Sequence, residues 1–521
     1  MREMPLTTDD PKRIFLWILI VAIVTGIFFR LYNLDKKEFW YDETVSADYI
    51  SGAAFRWPSL ISNGRVAEAR ELLAFQRPNE KHGLIDCVNS LAEIDPKHAP
   101  LFTCLLYIWT KFVGHSIFCM RLLPAIIGLL QIPAMYWLCI ELSGTRFFAL
   151  LGMSLIALSP IQVLYSQELH EYSLFSLTTL LISASLLRAL RKQNLTAWTI
   201  YFLSLTVALY SSLLTTLVMA GQLIYVVLQK GFKSKSFKYS LCACLGALVV
   251  YMPWLRLVWE HVDSAKGELA WLRQAVPISD LVHSWSLNFA SAFFDPGHYE
   301  TLLVQLLILM VLLVELYSAI EVSRKAHRVA RFLLLLIAAS TLPLVVPDLV
   351  LGGTRSVGVR YQLAAMNGLI VLVVYMFYVK LRSKSPVQQF AWATALSLLL
   401  LGALVSCAIS SQATTWRVKT KGGNLSAIAK ILNQDSETPL LVTDADEYPN
   451  ARQMLVLSHM LKPNIRLSML SEPGIPRLAP GTTHFYTFNL SPRFIQYFES
   501  AGQCKLTQID DLTNLCRIDL K

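Results

Sequence analysis

Charge is what this sequence has least of. Only 16% of its 521 residues are Asp, Glu, Lys or Arg, while 54% are hydrophobic and the mean hydropathy is +0.47. A soluble domain carries about 25% charged residues, so composition excludes that class. Internal repeats and low-complexity segments are also missing. Without repeated halves or Gly/Pro-broken spans in matching positions, the pattern of many secondary transporters is not met. The nine cysteines follow no metal-ligand spacing. No A-x-A cleavage pattern follows the first apolar stretch, which is longer than a signal-peptide core, so a retained anchor is expected. The net charge of +10 does not point to nucleic acid, because the basic residues sit in short clusters between apolar blocks.

Those blocks have the length needed to cross a hydrocarbon core of ~30 Å. Eleven are expected, at about 14–32, 118–140, 147–160, 173–188, 197–211, 213–229, 239–257, 302–321, 331–348, 361–379 and 389–409. The basic clusters alternate with them: Lys12/Arg13, Arg146, Arg188/Arg191/Lys192, Lys230–Lys238, Arg324–Arg331 and Lys380–Lys384. Residues 161–172, on the opposite side, contain no Lys or Arg. The asymmetry places the N-terminus in the cytoplasm and, with an odd count, the C-terminus outside. The fold expected is a polytopic α-helical membrane protein with a long first external loop and a C-terminal external α/β domain.

The membrane part is expected at 1–410 and the soluble part at 411–521. Within the first loop, 33–117, Ala67–Phe75 and Gly83–Ile94 read as helices, and Pro100–Val113 as an interfacial helix too short to span. A second external loop, 258–301, is rich in Trp and His (Trp259, His261, Trp271, His283, Trp285, His298), types that sit at headgroup level. In the tail, Asn424–Asn433 and Pro449–Leu461 read as helices, and Pro439–Thr443 and Thr483–Phe488 as strands. The tail has no glycine-rich phosphate loop, so a supporting role is expected of it. Cys504 and Cys516 lie there and could pair in an oxidising compartment.

Four groups of residues carry candidate chemistry. Asp42 and Glu43, between Trp40-Tyr41 and Thr44, open the first external loop. They suit a general base, or a metal ligand paired with one, and equally the first turn of a helix. Glu168-Leu169-His170-Glu171-Tyr172 follows a helix stop at Ser159-Pro160. If 165–175 is helical, Glu168 and Tyr172 share a face. His98, in Lys97-His98-Ala99-Pro100, suits a phosphate, a metal or a plain polar contact. Arg355 and Arg360-Tyr361 sit at the outer mouth of the tenth span, against the basic-inside trend. Snorkelling explains such arginines, and so does an anionic headgroup or lipid phosphate. All four groups fall on one side of the expected topology.

In that order and spacing the motifs resemble the membrane glycosyltransferases of the C-type fold. The likeness is to the bacterial branch related to protein O-mannosyltransferases and lipid A aminoarabinose transferases, and it runs through most of residues 13–410. Arg30-Leu31 and Trp40-Tyr41-Asp42-Glu43 resemble the family's first-loop acidic motif. His98-Ala99-Pro100-Leu101 resembles its His-Pro-Pro-Leu helix, with Ala99 replacing a proline. Arg121-Leu122-Leu123-Pro124-Ala125, Ser159-Pro160 through Tyr172-Ser173-Leu174, and Arg360-Tyr361 complete the series. His170 replaces an arginine common in relatives, and Ser212 lies where they have a histidine.

The resemblance implies an inverting enzyme in a bacterial plasma membrane, with its site on the outer face. It would move a sugar from a polyprenyl-phosphate donor to a glycan, lipid or protein acceptor. It implies Asp42 as base, Glu43 as its neighbour orienting acceptor or cation, and Glu168 as a second acid. Arg360, Arg355, His98, His170 and Tyr361 would hold the donor phosphate, and Trp40, Tyr41 and Tyr172 would line the cavity. A divalent cation is possible, with Glu43, Glu168 and His98 as ligand candidates. The competing expectation is a transporter or a lipid-linked-glycan flippase.

Overall fold

The computed structural model describes residues 10–53, 58–261, 270–417, 425–435, 437–445, 448–500, 504–510 and 515–520. It divides into two compact units: Met1–Lys36, Asp95–Phe102 and Met120–Ala413 form one, and Lys37–Ile94, Thr103–Cys119 and Thr414–Lys521 the other.

The first unit is helical. Each of the eleven expected spans falls on a helix. Among the described residues, seven helices are long and apolar enough to cross a membrane, or eight if one bent pair counts as a span. Phe15–Leu31 and Leu195–Ser211 are apolar but shorter, and Thr215–Lys230 has 16 residues. A helix of that length rises about 24 Å, short of the ~30 Å core, so the count of eleven is not reached by length and composition. Two helices form the centre: 89% of the apolar window of Tyr172–Lys192 and 83% of that of Val359–Lys380 are buried, against 17% for Leu302–Lys325.

The bent pair is Arg146–Leu158 and Pro160–Ser166, which meet at 60°. Pro160 at the first position of the second helix has no N–H and pushes Ser159 out of helical geometry. The break strands carbonyls at the end of the first helix. The buried Arg30 guanidinium takes them, donating to Ile156 O at 2.9 Å and to Ala157 O, and also to Gly26 O at 3.0 Å. Gly26 permits the approach, because a Cβ there would overlap the Ala157 carbonyl. Further along the core, Gln162, Ser176 and Asn367 close a buried network. Gln162 Nε2 donates to Asn367 Oδ1 (3.0 Å), Ser176 Oγ to Gln162 Oε1 (3.0 Å) and Asn367 Nδ2 to the Ser176 carbonyl (3.1 Å). Each polar group is satisfied by another, which makes its burial tolerable.

The second unit is built on a six-stranded sheet. Its strands are β1 (Val66–Glu68), β2 (Leu440–Asp444), β3 (Arg466–Leu470), β4 (His484–Phe488), β5 (Cys504–Asp510) and β6 (Leu515–Leu520), in the order β1-β3-β2-β4-β6-β5. The pairs β2–β3 and β2–β4 are parallel and the others antiparallel. Alternate residues feed opposite faces: Leu441 packs with Ile428 and Leu455, while Leu440 and Val442 pack with Phe494 and Phe498.

The first loop supplies β1, so residues 37–94 and 103–119 group with the tail and not with the helical unit. Val66-Ala67-Glu68 is extended because Arg466–Ser468 pairs with it, and the helix expected from Ala67 starts at Ala69. The Cys504–Cys516 pairing is not made. Cys516 is a free thiol opposite Gln508, and Cys504, whose side chain lies outside the described residues, faces Leu520. Four strand positions separate them, about 13 Å, beyond disulfide reach.

Candidate active site

In the second unit, Trp40 is the extended N-cap of the helix Tyr41–Tyr49. Glu43, fully buried at the third helical position, accepts the Trp40 N–H on Oε2 at 3.3 Å. Its carboxylate thus has a local task, closing the helix start. Asp42 is half-buried in the same first turn, where the helix dipole favours an anion. The Arg452 guanidinium lies over the Tyr41 ring, 5.3 Å from its centre.

In the first unit, residues 167–171 form a turn between the helices Pro160–Ser166 and Tyr172–Lys192, so Glu168 and Tyr172 do not share one helix face. Gln167 pins the turn by donating to Phe29 O (2.6 Å) and Tyr32 O (2.9 Å). The turn tightens where His170 N donates to the Glu168 carbonyl at 2.7 Å. Glu168 is fully buried.

The turn gathers His98. His98 Nδ1 is 3.1 Å from Glu171 Oε1, and Nε2 is 3.5 Å from Asp95 Oδ2. The imidazoles of His98 and His170 meet edge to face at 5.0 Å, and His170 stacks on Tyr172 at 4.2 Å. Trp254 Nε1 holds the His98 loop by donating to Pro96 O at 3.1 Å. Burial works against charge on His98, but the Glu171 and Asp95 carboxylates outweigh it and raise its pKa above the usual histidine value. Sequence reasoning gave no role to Asp95 or to Glu171; their spacing from the histidines was the available signal.

Among the described residues, His98, His170 and Glu171 are the group whose ligand atoms come within 4.8 Å of one another; Glu43 and Glu168 are not in it. A cation there meets an obstacle. His170 Nδ1 accepts the Glu171 backbone N–H at 2.9 Å, so in the neutral ring the proton sits on Nε2. That nitrogen is a donor, suited to an oxyanion and not to a metal. Two ligands remain, fewer than the three protein ligands of a catalytic zinc site.

In the loop between the helices His327–Leu351 and Leu363–Lys380, Arg355 Nη1 donates to Asp348 Oδ1 (2.9 Å) and Gly352 O (2.8 Å). These bonds tie one end of its guanidinium, Nη1, to the loop. Arg360 lies over the Tyr361 ring at 5.2 Å. In the segment 258–301, Trp285 lies on the helix Ile278–Ala290 and its Nε1 donates to Ser356 Oγ at 2.9 Å. The Trp271 side chain lies outside the described residues.

Residues 97–259 match the sequence model of the dolichyl-phosphate-mannose-protein mannosyltransferase family. No curated protein sequence matches the chain. The structure superposes on ArnT from Cupriavidus metallidurans bound to undecaprenyl phosphate with a TM-score of 0.54 at 11% identity, covering 98% of both chains. The apo state of that protein gives 0.54 at 10% identity over the same share of both. The chain has the C-type membrane glycosyltransferase fold. An Archaeoglobus fulgidus oligosaccharyltransferase, tethered to an acceptor peptide containing the NVT sequon, shares this fold with a TM-score of 0.50 at 13% identity. That likeness covers 88% of this chain, which spans 64% of the archaeal protein. Within the C-type glycosyltransferase fold, the family match begins at Lys97 and so includes His98 and the whole Glu168–Tyr172 turn.

Proposed function

We propose that this protein transfers a sugar from a polyprenyl-phosphate carrier to an acceptor hydroxyl or amine, with inversion at the anomeric carbon. The observation that carries the reading is the fold, which extends over 98% of the chain and is shared with a protein crystallised with undecaprenyl phosphate. In the proposed reaction the acceptor oxygen or nitrogen attacks the anomeric carbon and loses its proton to Asp42. The bond from that carbon to the phosphate oxygen breaks, and the carrier leaves as a monoester with one more negative charge. Groups that stabilise this charge lower the barrier. The Arg360 guanidinium, the His170 Nε2–H and a protonated His98 are the donors assigned to it, with Tyr361 supporting Arg360. Glu168 is the second acid of the cavity, Glu43 holds the helix that carries Asp42, and Trp40, Tyr41 and Tyr172 are lining groups.

We assign the site to the outer face, with the N-terminus inside and the C-terminus outside. The pairing of β1 with β3 supports this, because it keeps first loop and tail on one side of the bilayer and so requires an even number of crossings between them. The tail is assigned to acceptor selection.

The test is transfer from a panel of polyprenyl-monophosphate sugars in reconstituted membranes, comparing wild type with Asp42→Asn. Turnover lost in the variant with carrier binding kept supports a carboxylate base at Asp42. Equal turnover removes Asp42 from the mechanism and leaves Glu168 as the base to test. Carrier movement across the bilayer without any sugar transfer would favour a flippase.

A further inference from the structure

The helix His327–Leu351 ends in an unexpected residue. Asp348 lies in its last turn, where the unpaired carbonyls make an anion unfavourable, and its side chain is buried. A carboxylate placed there needs compensation, and the following loop supplies it. Oδ1 accepts the Arg355 N–H (3.1 Å) and Arg355 Nη1 (2.9 Å); Oδ2 accepts the Ser356 N–H (2.7 Å) and the Ser356 hydroxyl (2.7 Å). Four donors converge on one side chain, and all come from two consecutive loop residues.

The same loop is tied at further points. Thr354 N donates to Leu272 O at 2.8 Å, Asn288 Nδ2 to Val357 O at 2.8 Å, and Gln362 Nε2 to Ser356 O at 2.6 Å. Gly353 has a φ of +138°, and a Cβ there would overlap Arg355 Nη1 and press on Leu272 O. The segment is thus fixed from both ends. Four residues beyond Ser356 it delivers Arg360, in the short 3-10 turn Val359–Gln362 that opens the helix Leu363–Lys380.

We infer that Asp348 is a positioning residue: it clasps Arg355 and Ser356 so that the loop presents Arg360 to the carrier phosphate. The inference rests on the proposed reading of Arg360 as a phosphate ligand. It also gives Arg355 a different task from Arg360, since Arg355 is the counter-ion of the clasp. A guanidinium on a long, flexible side chain discriminates a transition state only when its backbone is held, and misplacement by about 1 Å is costly.

The experiment is a double-mutant cycle on carrier binding and on turnover, using wild type, Asp348→Asn, Arg360→Ala and the double variant in nanodiscs, with undecaprenyl phosphate as the binding probe. Asp348→Asn keeps the shape but replaces an acceptor oxygen with a donor facing Ser356. It should weaken binding and raise the donor KM about tenfold, with a smaller change in kcat. Arg360→Ala should weaken binding at least as much, and the double variant no further than Arg360→Ala alone, because both act through one contact. Additive losses, or a loss in Asp348→Asn that persists unchanged in the Arg360→Ala background, would overturn the positioning role while leaving Arg360 as a ligand. An Arg360→Ala variant that binds like wild type would remove both the ligand and its positioner. If Asp348→Asn does not fold, Ser356→Ala takes its place in the cycle. It deletes one of the four donors, and the same non-additivity is expected of it.

Discussion

His98 carries two carboxylates on its two ring nitrogens, which ties its charge to the fold. Its raised pKa means that the folded state binds the proton more tightly than the unfolded chain does. The resulting stability is fully present below the ordinary histidine pKa and is lost as pH rises through the elevated folded value. Wild type should therefore lose thermal stability on going from about pH 6 to pH 9, and His98→Asn should flatten that slope. Thermal unfolding of the two proteins across that range checks it; parallel slopes would show that His98 does not titrate with folding.

Glu43 and Asp42 are separable by the same kind of reasoning. The Glu43 task visible in the helix start needs only an acceptor for the Trp40 N–H, which a glutamine offers. Glu43→Gln should fold like wild type, whereas Glu43→Ala should lose about 0.5–2 kcal/mol, as for other helix caps. Differential scanning of the purified variants distinguishes them. If both lose stability equally, the charge itself, and not only an acceptor, holds the helix start. Asp42, Glu168 and Arg360 were candidates in the sequence because ionisable residues are scarce in this chain. Asp348 was not, because a single acid near the end of an apolar block gives no sign that four donors will come to it.

Among the elements, one close helix approach lies next to the candidate turn. A Cβ on Gly128, in the helix Ile117–Ser143, would overlap the Ser166 hydroxyl and lie 2.6 Å from Ser166 Cβ. Gly128→Ala should cost about 1–3 kcal/mol by overpacking, and Ser166→Gly in the same protein should recover most of it. Thermal midpoints of the single and double variants in detergent give the answer; no recovery would mean that the strain is relieved elsewhere. Helix positions themselves were readable, because apolar blocks bounded by basic clusters leave little alternative. The 60° break was signalled by Pro160, yet the turn at 167–171 was not, since Gln167-Glu168-Leu169-His170 contains no residue that stops a helix. What ends it is tertiary, with Gln167 drawn to the carbonyls of Phe29 and Tyr32.

At the scale of the whole molecule, the sheet shows where sequence reading stops. β2 and β4 were visible as short apolar runs in the tail, but β3, β5 and β6 were not, and neither was β1, whose three residues become a strand only by meeting a partner elsewhere. Removing residues 414–521 would do more than delete an acceptor-selecting domain. It would expose Ile61, Ala69 and Leu72, which pack against Ile428, Leu455 and Leu467. A chain truncated after Ala413 should therefore aggregate or be degraded, seen as loss of a monodisperse peak in gel filtration. A truncated protein that stays monodisperse and still binds undecaprenyl phosphate would show that the first loop folds without the tail.

The edge strand has a consequence for biosynthesis. Glu68 pairs with Arg466, about 400 residues later in the chain. At roughly 5–20 residues per second, the segment around β1 emerges roughly 20–80 s before its partner exists. Throughout that interval the nascent loop holds an unpaired strand edge and bare apolar side chains, while the bilayer-crossing helices are inserted one after another. The acid-bearing helix Tyr41–Tyr49 belongs to that same unit, so the unit carrying Asp42 is completed only after the tail strands have emerged. On the proposed reading of Asp42 as base, sugar transfer has to wait until the tail strands have been made and paired.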